Sequence, residues 1–449
     1  MVPLDKQESP NLRSYLFFLI GQAQSQLGSF IVQFIIILWI ALEYKSAFYL
    51  GLAAFAGFTP MILVTPFAGV LVDRWNRKIV IASVDFLQAI ITLFLVYLFW
   101  TDAVTIWHIL IVLGFRAIFQ AFHMPATEAI VPLLVPRDKL SRINGLRVFM
   151  TGANGIIAPV MAALLLNFWE IHDLLLLDPL TFGIAVIPVL LIKIPPVKRA
   201  SNGIEKRSFK AEFKDGFTFM IREPGLLTLV FLFTIANFCL QPINVLLPLF
   251  VIQDHSGSKE DLAVVLALFQ VGYLLGSIFM MIWKGFERKV VVVVLSMLGM
   301  YGGILVIASV PPESSAFLLM GAGYCIMGLM LAFINTTILT LYQSVVPPDK
   351  LGRFTSMRRT LIWFTIPVSS ILAGISAEFI PIETLFYVCA TLGIISVACA
   401  WFLTKLPDVE KSLESIASDE YTIIPGFPAS SASSSAKECA GLGSSSPQE

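Results

Sequence analysis

Long apolar runs dominate the chain, broken by short polar segments. They fall near 14–42, 47–72, 78–100, 104–127, 144–168 and 174–194, then near 225–252, 261–283, 289–310, 315–342, 357–380 and 383–404. A helix that crosses a bilayer takes roughly 20 mostly apolar residues, so each run is long enough to span. A polar, basic stretch from Pro195 to Pro224 divides them six and six. The pattern predicts an all-α polytopic membrane protein of twelve transmembrane helices in two six-helix bundles. The first bundle is expected over 1–194 and a central loop over 195–224. The second is expected over 225–405 and a tail over 406–449, where Ser, Ala, Gly and Pro take over. Such a tail is expected to be disordered, because it cannot bury enough apolar surface to offset its ordering entropy.

Composition removes the soluble classes. Hydrophobic residues make up 57% of the 449, charged residues 13%, and the mean hydropathy is +0.84. A soluble domain carries about 25% charged residues, so this surface must be covered by lipid. Thirty basic residues balance thirty acidic ones, which points away from nucleic acid. Cys239, Cys325, Cys389 and Cys399 sit in apolar runs and Cys439 in the tail. None forms a CxxC pair, so neither a metal site nor a disulfide framework is expected. The first run begins behind a polar start without a small-residue cleavage site, and reads as a first membrane helix rather than a signal peptide.

The placement of the charges says more than their sum. One side of the predicted topology carries Arg13, Arg74, Arg77, Lys78, Arg137, Lys139, Arg142 and Arg147. It also carries the basic residues of the central stretch, Lys284, Arg288, Lys289, Lys350, Arg353, Arg358 and Arg359. The other side offers only Lys45 and Lys259. Lys and Arg are retained on the cytoplasmic side of membrane proteins. Both termini are therefore expected in the cytoplasm and the helices in the cell membrane.

A duplication runs beneath this pattern. Val135-Pro136-Arg137-Asp138-Lys139-Leu140-Ser141-Arg142 returns as Val346-Pro347-Pro348-Asp349-Lys350-Leu351-Gly352-Arg353, 211 positions later. The same shift carries Arg77-Lys78 onto Arg288-Lys289, Gln26 onto Asn237 and Gln33 onto Asn244. Two homologous halves related by an axis along the membrane normal are an architecture used by transporters.

Between the second and third runs lies Gly69-Val70-Leu71-Val72-Asp73-Arg74-Trp75-Asn76-Arg77-Lys78. It resembles the signature G-x-L-x-D-R-x-G-R-K of the major facilitator superfamily, with Asn76, which also tolerates positive φ, at the second glycine. Arg116 with Gln120 resembles the family's R-x-x-Q element, with the Gln one residue late. Gly145, Asn154, Ala158, Pro159, Ala162 and Ala163 stand where antiporter members show G, G, G, P, G, G. The stretch from His123-Met124-Pro125-Ala126 through Val135-Pro136 to Asn144 is similar to the drug/proton antiporter-like branch containing macrolide-efflux and siderophore-export proteins. The resemblance covers roughly 14–405. It implies efflux of an amphipathic small molecule driven by the proton gradient.

Candidate functional residues follow. Gly69, Asp73, Arg74, Arg77 and Lys78 are candidates for a cytoplasmic gate, with Asp73 facing a helix N-terminus and Arg77 seeking a carboxylate such as Glu128. Arg116, near the middle of its run, costs at least about 2.5–3.5 kcal/mol there unless it faces a cavity or a partner. Asp85, two turns into the third run, is the candidate proton carrier, with Arg116 nearby; a static salt bridge at the gate is the competing account. Gln22, Gln26 and Gln33 share a face of the first helix, and Asn237, Gln241 and Asn244 form the matching face of the seventh. Amides lining a cavity from both halves can hydrogen-bond a substrate; interhelical packing is the alternative. Phe30, Phe34, Trp39 and Trp363 are candidates for aromatic contacts.

No P-loop is present, so ATP is not expected to drive the protein directly. His108, His123 and His172 fall near run ends and His255 in an outer loop, so no metal is expected. The pattern implies no enzyme chemistry and no cofactor. The expected partners are the bilayer, a small-molecule substrate and protons, with the chain a monomer. Two other readings stay open: a lysophospholipid or other lipid transporter of the same fold, and a non-transporting membrane sensor or scaffold.

Overall fold

The computed structural model describes residues 12–72, 74–192, 217–218, 220–221, 225–283, 285–286, 288–311, 316–346, 348–404 and 406. Asp73, most of the central loop and the tail beyond 406 lie outside them. Twelve helices are long and apolar enough to cross a membrane. The first six are Leu12–Glu43, Ala47–Val72, Arg77–Trp100, Ile106–Leu134, Arg142–Leu165 and Ile171–Leu191. The second six are Leu226–Asp254, Lys259–Ile282, Lys289–Ala308, Phe317–Gln343, Met357–Ala377 and Ile382–Leu403. In hydrocarbon every backbone polar group must be satisfied within the segment, which leaves an unbroken apolar run little choice but the helix.

Local signals set several of the ends. The Asn76 side chain accepts from Lys78 N and caps the third span. Ser258 and Asp261 form a capping box that starts the eighth. Gly225, at φ 77°, starts the seventh. That span carries Pro242 and Pro248 and closes in a π-helical turn over Phe250–Asp254. A proline removes one backbone donor, and the wider turn that follows accommodates the mismatch.

The two halves repeat their packing. The first span packs on the fifth and sixth, the second on the fourth, and the third on the fourth and sixth. In the other half the seventh packs on the eleventh and twelfth, the eighth on the tenth, and the ninth on the tenth and twelfth. The main contacts between the halves also come as a pair, second on eleventh and eighth on fifth, with smaller ones from the seventh onto the first and second. The duplication read from two loops is thus also a duplication of helix neighbours.

The odd-numbered spans start at the end that bears Arg74, Lys78, Arg142, Arg288 and Lys289, called here the basic end. At the opposite end the halves pack closely. A Cβ on Gly51 would sit 2.6 Å from Ser370 O and 2.9 Å from the Gly374 Cα. Only glycine lets the second and eleventh backbones approach so far, the small-residue logic of helix packing in lipid.

Candidate functional site

Between the bundles lies a cavity of about 770 Å³ that extends from the middle of the membrane towards the basic end. The amide face of the first span lines it with Gln22, Gln26 and Gln33. Glu128 and Arg147 lie on it nearer the basic end, and Phe18, Phe30 and Phe58 give it apolar wall. A cavity of this size is in the range that encloses drug-sized ligands.

Most of the wall comes from the first half. From the second half Gln241, Asn244 and Val245 reach it, and both amides are already engaged. Gln241 Nε2 donates to Ser370 Oγ at 2.9 Å, and Asn244 Oδ1 accepts from Tyr324 Oη at 2.7 Å. Asn237 does not line the cavity; its Nδ2 donates to Phe233 O of its own helix at 2.9 Å. Asn237 shares a helix face with Gln241 and Asn244 but sits one turn nearer the basic end, where its amide is spent on its own backbone. In the first span Gln26 Oε1 accepts from Thr151 Oγ1 at 3.2 Å and Asn154 Nδ2 at 3.4 Å. Gln22 Nε2 is buried with no hydrogen-bond partner, and Gln33, exposed on the same face, also lines the cavity. Of the four candidate aromatics only Phe30 reaches the cavity. Phe34 is buried in the core, Trp39 packs edge-on against Tyr44 and Phe99, and Trp363 lies under Arg359.

Two charged pairs sit on the wall. Arg116 Nη1 meets Asp178 Oδ2 at 2.7 Å. Thr92 Oγ1 donates to the same oxygen at 2.7 Å and Ser29 Oγ to Asp178 Oδ1 at 2.9 Å. Arg116 also donates to Thr92 Oγ1 at 2.6 Å. The network ties the first, third, fourth and sixth spans, and it gives a carboxylate buried to 4% exposure the partners it needs.

Asp85 does not take Arg116 as its partner. His123 Nε2 lies 3.0 Å from Asp85 Oδ1, and both residues line the cavity. Asp85 Oδ2 and His123 Nε2 are both buried without a hydrogen-bond partner, so the 3.0 Å approach is a close ion-pair contact rather than an aligned hydrogen bond. Asp178 and His123 were both missed in the sequence. An ionisable residue inside a span is a functional candidate by default, and that rule alone would have flagged Asp178. His123 follows Arg116 by seven residues, two helical turns, which puts both on one face of the fourth span.

At the basic end Lys78 Nζ donates to the carbonyls of Leu190 and Ile192, a cation on the C-terminal end of the sixth span. Trp75 stacks on Phe122, and Arg74 is exposed. A Cβ on Gly69 would meet nothing within 4 Å, so close packing does not require glycine there in this arrangement. Among the described residues no group of three or more His, Cys, Asp or Glu could hold a metal ion.

Two pseudo-symmetric six-helix bundles around a midplane cavity with polar and charged lining define a membrane transporter. The chain belongs to the Major Facilitator Superfamily, whose model matches residues 18–257 and 229–437. Macrolide efflux protein A of Streptococcus pyogenes is 29% identical over 397 residues, 88% of this chain and 97% of that one. The multidrug efflux pump Tap of Mycolicibacterium fortuitum is 21% identical over 383 residues, 83% of this chain and 91% of its own length. The fold matches the crystal structure of a point-mutant form of the nucleoside transporter NupG with a TM-score of 0.72 at 15% identity, covering 87% and 99% of the two chains. The chain is thus a membrane transporter of this family and not an enzyme.

Proposed function

We propose that this transporter exports amphipathic small molecules of drug-like, macrolide-like or siderophore-like size in exchange for protons. The observation that carries the reading is the cavity wall. It joins apolar surface and the Gln22 amide to an acid–imidazole pair, Asp85 and His123, 3.0 Å apart, with Asp85 Oδ2 and His123 Nε2 both unclaimed by hydrogen bonds. An acid and an imidazole at this distance can hold one proton between them and release it when the surroundings change. Arg116, neutralised by Asp178, shapes the wall and leaves Asp85 as the coupling residue. The efflux relatives support the direction of transport.

The Lys and Arg asymmetry makes the basic end cytoplasmic, so the cavity in this state receives cargo from the cytoplasm. Gly69, Asp73, Arg74, Arg77 and Lys78 act as the gate that closes the basic end in the opposite state. The open space at Gly69 is then filled by the approaching half, and Glu128 is a carboxylate the gate can reach.

Proton flux in liposomes holding the purified protein, with and without a panel of macrolides, other amphipathic drugs and siderophores, tests this. Compound-dependent proton movement abolished by Asp85→Asn is the expected result. Flux of compound with Asp85→Asn still moving protons would remove Asp85 from the coupling role. Silence across the panel would turn the search to lipid cargo.

A further inference from the structure

At the end away from the basic loops, among the described residues, two hydrogen-bonded contacts join the halves, and each rests on one carboxylate of the second half. Glu378, one turn beyond Gly374 and just past the end of the eleventh span, accepts through Oε1 from Ser46 Oγ at 2.8 Å and from Phe48 N at 3.0 Å. Ser46 precedes the second span and Phe48 is its second residue, so Glu378 caps that helix from the other bundle. The first backbone N–H groups of a helix have no partner within it, and the dipole there favours an anion. Glu260, in the first turn of the eighth span, accepts through Oε1 from Asn167 Nδ2 at 2.9 Å, in the turn after the fifth span.

The two contacts are images of each other. The 211-residue shift of the internal repeat carries Asn167 onto Glu378. It carries Phe48 onto Lys259, next to Glu260, and Ser46 onto Gly257, next to the helix-capping Ser258. Each contact therefore joins the outer end of a fifth-type span to the start of a second-type span in the opposite half. The polarity is inverted between them. At one interface the acid closes from the end of the eleventh span, and at the other from the start of the eighth.

We infer that Glu378 and Glu260 form a paired, repeat-related latch that holds the far end of the transporter shut while the cavity is open at the basic end. Both acids travel with the second half, so rocking of that half breaks both contacts together. Neither acid is left in hydrocarbon when this happens. A second cavity of about 420 Å³ lies against Glu378, and Glu260 is exposed to solvent on its interface. Phe48 N need not be orphaned either, because Ser46 in the capping position can turn its own hydroxyl oxygen to the first turn. The latch is a contact with an alternative at hand on each side, which suits a gate that must open on every cycle.

The test is a distance measurement across that end in the full chain, by spin labels at Asp102→Cys and Ser309→Cys in a background with the five native cysteines replaced by Ser. These two positions lie in exposed turns of opposite halves. Glu260→Ala should raise the ratio of long to short distances roughly fivefold, the effect of one lost hydrogen bond, and Glu378→Ala, which loses two, should raise it further. The double variant should approach the product, since the contacts sit on separate interfaces. Glu→Gln at either position keeps an acceptor and should shift the ratio less than Ala. Ser46→Ala and Asn167→Ala remove the donors instead, and decide the matter if an acid variant fails to fold. Distances unchanged in the double variant overturn the latch, and a shift at one acid with none at the other overturns the pairing. The readout needs no cargo, so it stands apart from the proposed substrate and coupling.

Discussion

Arg116 and Asp178, 62 positions apart in sequence, meet at 2.7 Å inside the first bundle, with side chains 13% and 5% exposed. The pair is a structural hub, because Ser29 and Thr92 both donate to the carboxylate and four of the bundle's six spans are joined through it. Removing one partner of a buried pair strands the other charge, and such changes cost about 3–5 kcal/mol. Asp178→Asn and Arg116→Ala should therefore each lower thermal stability in detergent markedly. Arg116→Leu with Asp178→Leu should recover a large part of that loss. A double-mutant cycle on the melting of the purified protein checks this.

Asp85 and His123 are expected to act as one unit. If the 3.0 Å contact carries the coupling proton, His123→Ala should reduce compound-driven proton flux as severely as Asp85→Asn, and the double variant should be no worse than either. Residues that share one step are grossly non-additive. Initial rates in liposomes for the three variants decide it, and additive losses would separate the two residues.

Gln22 and Asn237 make a contrast. Gln22 lines the cavity and its buried Nε2 has no hydrogen-bond partner, whereas Asn237 spends its amide on Phe233 O. Gln22→Ala should weaken binding of a transported compound about fivefold, the value of one hydrogen bond of roughly 1 kcal/mol. Asn237→Ala should leave affinity within about twofold. Equilibrium binding to both variants measures the difference.

The glycine contact at the far end offers a steric test. A Cβ on Gly374 would lie 2.8 Å from Ala47 O and 3.1 Å from the Gly51 Cα, all backbone atoms with little room to yield. Gly374→Val should push the second and eleventh spans apart, at about 1–3 kcal/mol of overpacking strain. Reaction of a cysteine placed at Ala54 on the cavity wall with a membrane-impermeant thiol reagent added from the far end should rise. The same substitution at Gly57, where a Cβ meets nothing within 4 Å, should change it little.

The candidate site was legible only in part. The amide face of the first span was readable because Gln22, Gln26 and Gln33 repeat at helical spacing, and all three line the cavity. Asp85 and Arg116 were readable as charges stranded in apolar runs. Their partners were not, because Asp178 and His123 reach them across helix interfaces. Local spacing does not record which way a distant span is rotated. Nor does it record how deep the cavity runs along a span, which separates Gln241 and Asn244, which reach it, from Asn237 on the same face, which does not.

By itself the sequence determined the number of spans, their division into two bundles and the internal repeat. The reason is local: a twenty-residue apolar run in lipid must satisfy its own backbone, and the helix does so without reference to anything else. Tertiary structure alone decided which end is shut, which acid pairs with which base, and where Glu378 and Glu260 close the halves. Those outcomes depend on how far two helices approach and how each is turned about its axis. In lipid, packing and polar contacts between spans set that, with no solvent-driven burial to write it into the pattern of apolar residues.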